Sequence, residues 1–229
     1  MCKRGKSVLI DIDGTICDAQ ERKIIAYEQC LEYLKKCFPQ FEVQINRELL
    51  NKITNVQFSV FRMNDKNDLN IRFRMLLSFL GVEERLIENH LPELNNIYWK
   101  SLEEMKVFPK ITDLLNTIIG NEHIYYLFTD SSATEAGFKL DRFPDDFLPG
   151  NPHVFVTDKI SSNPRIIPLG MEKEARTYQY LREEYGAVAM VGDSLDFDII
   201  PARVGGLEAF DINKISIEDL KEQITILFG

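Results

Sequence analysis

The stretch Val8-Leu9-Ile10-Asp11-Ile12-Asp13-Gly14-Thr15 decides how the rest of the chain is read. An apolar, β-branched run that ends abruptly in two carboxylates, a Gly and a Thr has the pattern of a buried strand whose C-terminal end opens onto a polar loop. Side chains alternate faces along a strand, so strand geometry continued through Asp13 points both carboxylates the same way. A strand that merely stops in a polar turn would look the same, because Asp and Gly are common turn residues. The rest of the chain has to separate the two readings.

Four further short apolar runs follow the same pattern. His123 to Phe128 ends in Thr129-Asp130-Ser131-Ser132, and Val154 to Val156 ends in Thr157-Asp158-Lys159. Ala187 to Val191 ends in Gly192-Asp193-Ser194, and Leu207 to Phe210 ends in Asp211. Between them the spacing predicts a helix carrying Ile111, Leu114, Leu115 and Ile118, closed by Gly120, and another from about Met171 to Tyr185, closed by Gly186. Alternating strands and helices predict an α/β fold with a parallel sheet, and open sheets of this kind bind ligands at the C-terminal ends of their strands. Asp141 to Pro152, with Pro144, Pro149, Gly150 and Pro152, reads as a surface loop.

Residues 16–106 have a different period. Ile24, Tyr27, Leu31 and Leu34 recur at three and four with charged residues between them, which predicts an amphipathic helix. Leu49, Leu50, Ile53 and Val56 predict a second. A third, from about Asn67, carries Leu69, Met75, Leu76 and Leu80 and ends at Gly81. A fourth, from about Glu83 to Met105, carries Leu86, Leu94, Ile97 and Leu102 and is expected to break or restart at Pro92. The organisation is therefore an α/β core of residues 1–15 and 107–229 with a helical domain, 16–106, inserted after the first strand.

With 229 residues, 45% hydrophobic and 28% charged, the chain is long enough to bury a substantial core and has ordinary globular composition. A net charge of −9 argues against nucleic acid or an anionic membrane as partner, but not against an anionic substrate held locally by a cation and a few basic side chains. Cys2, Cys17, Cys30 and Cys37 lack zinc-site spacing and do not form a plausible disulfide framework, so reduced thiols and a cytoplasmic location are expected. Apolar residues after the basic Met1 to Lys6 are too few for a secretory signal, and no run approaches membrane-spanning length.

The ordered set of strand-end motifs resembles the haloacid dehalogenase (HAD) superfamily, most of whose members are Mg²⁺-dependent phosphohydrolases. Asp11-Ile12-Asp13-Gly14-Thr15 matches the first motif residue for residue. Thr129 matches the second, and Gly192-Asp193-Ser194-Leu195-Asp196-Phe197-Asp198 matches the fourth. The third requires a lysine; Lys173 is preferred over Lys159 because it leads a helical run into the strand before Asp193. Asp130 departs from the family, which more often has Asn there. The resemblance implies a Rossmann-like parallel sheet core with an inserted α-helical cap.

For catalysis, the resemblance implies Asp11 as nucleophile and Asp13 as general acid and base, with Thr129 and Lys173 stabilising the transferring phosphoryl group. It assigns Mg²⁺ to Asp11, the backbone carbonyl of Asp13 and Asp193, with Asp198 orienting the metal's waters or the lysine. The chemistry is coherent: phosphoryl transfer needs an in-line nucleophile and positive groups around the transferring oxygens. A carboxylate nucleophile splits hydrolysis into formation and breakdown of an acyl phosphate.

The expected substrate is a small phosphorylated metabolite. Alternatives within the fold are a metal-independent dehalogenase, which Asp13 disfavours because a halide leaves without protonation, and a phosphomutase. An alternative of another class is a catalytically idle binding module. Arg62, Arg72 and Arg74 are candidate anion contacts in the insert, Trp99 and His90 read as its core, and His123 and His153 fall at strand starts, away from the chemistry. The sequence is silent on oligomeric state.

Overall fold

The computed structural model describes residues 5–61, 69–144 and 146–229. In chain order the elements begin with strand β1 (Ser7–Ile10) and helices α1 (Ala19–Cys37), α2 (Arg47–Phe61), α3 (Leu69–Phe79) and α4 (Glu84–Glu103). They continue with α5 (Pro109–Gly120), β2 (Ile124–Thr129), α6 (Ala133–Leu140), β3 (Val154–Val156), β4 (Ile166–Pro168) and α7 (Ala175–Tyr185). The chain ends with β5 (Ala187–Gly192), a π-helical turn at Leu195–Ile199, α8 (Ile200–Val204), β6 (Glu208–Asp211) and α9 (Ile217–Phe228). Two compact units result, one formed by the segment ending at Asp18 together with Lys106–Gly229, the other by Ala19–Met105.

The first unit is a six-stranded sheet in the order β4-β3-β2-β1-β5-β6, with every neighbouring pair parallel. A parallel sheet covered on both faces needs apolar side chains on both, and all four residues of β1 are buried. Leu9, Phe128, Phe155 and Met190 share one face and pack with Tyr178 and Leu181 of α7 and Ala202 of α8. α5 packs on β2 and on α9. Ile111, Leu114, Leu115 and Ile118 of α5 are all buried, as their spacing predicts. α5 runs through Gly120, and the left-handed residue that turns the chain toward β2 is Glu122, at φ 59°.

Strand β4 was not expected: three residues ending in a proline carry no alternation to detect, and a proline is tolerated there because the strand lies at the sheet edge. Helices α6, α8 and α9 are also additional to the expected elements. α7 begins at Ala175 rather than about Met171, which leaves Lys173 in the segment ahead of the helix.

Within the second unit the buried stripe of α4 is Ile87, Leu91, Leu94, Tyr98 and Leu102, so Leu86, 44% exposed, is displaced from its expected core position. On α1 the stripe is Ala26, Cys30, Leu31 and Leu34, and Ile24 is 38% exposed. Leu50 and Ile53 of α2 are buried, and α3 ends at Phe79, with Gly81 at φ 80° in the turn that follows. Arg62 and Asn67, where the third helix was expected to start, lie outside the described residues.

The expected break at Pro92 does not occur; α4 runs uninterrupted through it. Pro92 and Glu88 both lie on the exposed face, so the carbonyl that loses its helical donor is on the side open to water, while the buried stripe holds the helix together. Pro92→Ala restores that hydrogen bond and removes the ring clash. We expect it to stabilise the second unit by roughly 1–3 kcal/mol; a lowered urea midpoint would contradict this account of how α4 tolerates its proline.

Candidate active site

At β1 the order of strand placement reverses: β2, β3 and β4 lie to one side of it and β5 and β6 to the other. The C-terminal ends of β1, β2 and β5 therefore meet at the switch point where open α/β sheets bind ligands. Asp11 leaves β1 with its backbone N–H donating to the Val191 carbonyl of β5 at 2.9 Å. The chain then turns through Gly14, at φ +84°, where a Cβ would collide with the Asp193 carboxylate. Gly192, at the end of β5, is a second such place: a Cβ there would lie 2.5 Å from the Asp198 side chain. Each glycine leaves the space a carboxylate occupies.

Lys173 is 7% exposed and donates to Asp11 Oδ1 at 2.5 Å and to Asp198 Oδ1 at 2.7 Å. Asp198 Oδ2 accepts the Ser194 backbone N–H at 3.1 Å, and the π turn brings the Asp198 and Ile199 N–H groups onto the Ser194 carbonyl at 3.0 and 3.1 Å. Asp11, Asp193 and Asp198 present carboxylate oxygens that all lie within 4.8 Å of one another. Among the described residues these three carboxylates meet the Lys173 ammonium, an excess of two negative charges when all three are ionised.

That excess governs the ionisation of the group. Burial pushes the Asp11 carboxyl well above the ordinary carboxylate range, against the pull of Lys173 and with the help of Asp198 and Asp13. Burial would lower Lys173, but Asp11 and Asp198 reverse this and hold its ammonium well above the ordinary lysine value. Burial and Asp198 raise Asp193 from 3.8 to about 6. Hard oxygen donors in excess negative charge, with Gly14 leaving room for the Asp193 carboxylate, fit a divalent cation such as Mg²⁺.

Asp13 has a separate environment. Its Oδ1 accepts from Lys139 Nζ at 2.5 Å and its Oδ2 from the Ser131 hydroxyl at 3.0 Å. Lys139, fully buried on α6, also reaches Ser131 Oγ at 2.7 Å and Glu135 Oε1 at 2.7 Å. Ser131, Glu135 and Lys139 were not among the expected site residues. Ser132 and Glu135 have capping-box spacing, and Glu135 and Lys139 are four apart, which marks a helix but reads as a surface ion pair. Ser132 does cap α6, accepting the Glu135 N–H at 3.2 Å. The Glu135 carboxylate turns inward instead.

Thr129 ends β2 fully buried, its hydroxyl oxygen accepting the Ser131 N–H at 3.1 Å. Lys159, the competitor for the third motif, is exposed, and so is Asp130, whose carbonyl accepts from Thr157. Asp158 accepts the Ala133 N–H at 2.6 Å at the start of α6. In the second unit Arg74 pairs with Glu84 and Glu88, Arg72 lies 5.5 Å over the Tyr27 ring, and His90 bonds Tyr33 at 2.8 Å. Trp99 packs edge-on against Tyr98. His123 stacks on Phe228, and His153 precedes β3; both lie before strands rather than after them.

The fold is that of the HAD-like hydrolases. A haloacid dehalogenase-like family hydrolase from Xanthomonas campestris superposes with a TM-score of 0.65 at 14% identity, covering 99% of this chain and 94% of that one. The 2-haloacid dehalogenase of Pseudomonas syringae pv. Tomato has a TM-score of 0.64 at 16% identity over 97% and 99% of the two chains. YfnB of Bacillus subtilis, in a magnesium-bound form, has 0.58 at 23% over 98% and 99%. No family model and no curated protein matches the sequence. Among the described residues no helix is long and apolar enough to cross a membrane.

The raised Asp193 has a measurable consequence. With a folded value near 6 against 3.8, its ionisation costs stability above about pH 6, and the cost vanishes below about pH 4. Asp193→Asn should therefore stabilise the metal-free protein by about 1 kcal/mol at pH 8, after discounting for solvent screening, and leave it unchanged at pH 4. The same variant should lose any thermal stabilisation by Mg²⁺. Equal gains at both pH values, measured by urea unfolding, would rule out ionisation as the cause.

Proposed function

We propose that the protein is a Mg²⁺-dependent phosphatase of small phosphate monoesters, working through an aspartyl-phosphate on Asp11. The observation that carries this reading is the cluster of Asp11, Asp193 and Asp198 around the ammonium of Lys173. A metal-independent dehalogenase has no use for a carboxylate cluster whose formal charge outweighs its lysine by two, whereas a divalent cation cancels that surplus and leaves a place for an anionic substrate to share. Among proteins of this fold are a HAD phosphatase from Thermococcus onnurineus, at 18% identity and a TM-score of 0.57, and 2-haloacid dehalogenase; the side chains, not the fold, favour the former.

Asp11, Asp193 and the Asp13 backbone carbonyl would hold Mg²⁺, with Asp198 assisting through its bond to Lys173. When bound, the ion polarises the phosphoryl oxygens and neutralises their charge. Asp11 Oδ attacks phosphorus, the ester oxygen departs with its bonding pair, and Asp13 supplies the proton that makes it an alcohol. Water then attacks the acyl phosphate, Asp11 recovers its electron pair as carboxylate, and Asp13 takes the water's proton. Lys173 and the Thr129 hydroxyl offset the negative charge that grows on the phosphoryl oxygens, each worth roughly 3 kcal/mol of barrier. We assign substrate selection to the helical unit Ala19–Met105.

Purified protein should hydrolyse an aryl phosphate only with Mg²⁺, and Asp11→Asn should reduce turnover at least 1,000-fold, on the order of a lost covalent nucleophile. Turnover in excess chelator, or an active Asp11→Asn, would refute the proposal. For the helical unit, bridging Asp18 to Lys106 in a folded deletion variant should flatten the ratio of kcat/KM across a panel of phosphorylated metabolites; an unchanged ratio would assign selectivity to the core.

A further inference from the structure

The buried group beneath Asp13 does not take part in the chemistry outlined above. Lys139 is fully buried yet lies on the second turn of a short helix, where lysine normally reaches water. Burying an ammonium costs several kcal/mol unless it is paired and hydrogen-bonded. Here it is: Asp13, Glu135 and the Ser131 hydroxyl all lie within hydrogen-bonding distance of its Nζ, at 2.5, 2.7 and 2.7 Å. A structural ion pair would need only Glu135, one turn away on the same helix. The bond to Asp13 runs from α6 to the loop after β1, and the Ser131 hydroxyl lies 3.0 Å from an oxygen of each of the same two carboxylates, its one proton serving either.

We propose that Lys139, together with Ser131, is the positioning device for Asp13, fixing the carboxylate that exchanges protons with the leaving group and with water. This rests on the phosphatase reading above. A donor beside each oxygen restrains rotation of the Asp13 carboxylate. Glu135 balances the charge of Lys139, so the device adds no net charge beneath the reacting phosphate. Lys139 touches neither substrate nor metal in this scheme; it acts through Asp13.

In the second half of the reaction the water oxygen bonds to phosphorus as the bond from phosphorus to Asp11 breaks, and a water proton passes to Asp13. An activated aryl ester needs no proton for its leaving group, so with that substrate a mispositioned Asp13 slows only this half. Phosphoenzyme should then accumulate.

The test compares wild type with Lys139→Met/Glu135→Gln, which removes one cation and one anion together and keeps the net charge of the group, and with Ser131→Ala, which removes the Oδ2 donor together with the hydroxyl's contacts to Glu135 and Lys139 but leaves both charges in place. With Mg²⁺ and 4-nitrophenyl phosphate, the double variant should release a burst of one equivalent of nitrophenolate, followed by turnover about 10- to 100-fold below wild type. Ser131→Ala should show the same burst with a smaller loss. With an alkyl phosphate the double variant should be slow from the first turnover, with KM little changed. Equal losses on the two esters without a burst would mark a packing role and overturn the assignment, as would wild-type kinetics in either variant. Should the double variant fail to fold by calorimetry, Ser131→Ala decides alone. Asp11→Asn run alongside separates the two levels: if it is inactive and the burst is absent, only the role of Lys139 falls; if it is active, the phosphatase reading falls as well.

Discussion

Lys173 sits buried between Asp11 and Asp198, with the half-buried Asp193 carboxylate close by, and this crowding of carboxylates around one lysine is the constraint the first unit is built to hold. Buried charges that lack full compensation cost several kcal/mol each, so nothing in folding alone would select the arrangement. The sheet supplies the rigidity that offsets it: β1, β2 and β5 are adjacent, parallel and apolar on both faces, and their ends deliver the polar residues to one edge. Gly14 and Gly192 then allow two of the carboxylates to come closer to the backbone than any other residue would permit. A backbone N–H from Ser194 fixes Asp198, so the group depends on main-chain geometry as much as on ion pairing.

Asp11 and Asp13 are two residues apart in one turn yet have different partners. Lys173 comes to Asp11 from the segment before α7, and Lys139 comes to Asp13 from α6. Two carboxylates divide labour when their surroundings differ, and here the difference lies in which cation each one meets and in how many other carboxylates share that cation. Asp11 belongs to the group with surplus formal charge, which under the proposed phosphatase reading would hold the metal and supply the nucleophile. Asp13 belongs to a group in which the lysine and Glu135 balance, and under the same reading it exchanges protons.

What was legible in the sequence were the residues at strand ends. Asp11, Asp13, Thr129 and Asp193 each follow an apolar run, so their location comes from a pattern that backbone geometry imposes. Lys173 follows no apolar run; its position ahead of the helix leading to β5 separates it from Lys159 in the sequence, and its burial and bonds to Asp11 and Asp198 separate it in the structure. Lys139 was not legible: four residues after Glu135 on a short helix, it has the signature of a surface pair, and inward direction is set by tertiary packing. The same limit explains β4, whose pairing is stabilised by its neighbour rather than by its own composition, and Pro92, whose local cost is outweighed by a buried stripe extending on both sides of it.

The fold by itself leaves the chemistry open, because solved structures of this shape include dehalogenases and phosphatases at similar, low identity. The charge count narrows it. A departing halide gathers negative charge, and so does a transferring phosphoryl group; a bare cluster with two surplus anions repels both. Only a cation of matching charge turns the cluster from a liability into a site, and hard oxygen donors select an ion of the Mg²⁺ kind. Once such an ion is present, an oxygen-rich substrate can share it, whereas a haloalkane carbon gains nothing from the contact. The proposed phosphatase reading thus gives the carboxylates that cost stability in the empty fold a use, which an alkyl halide would not.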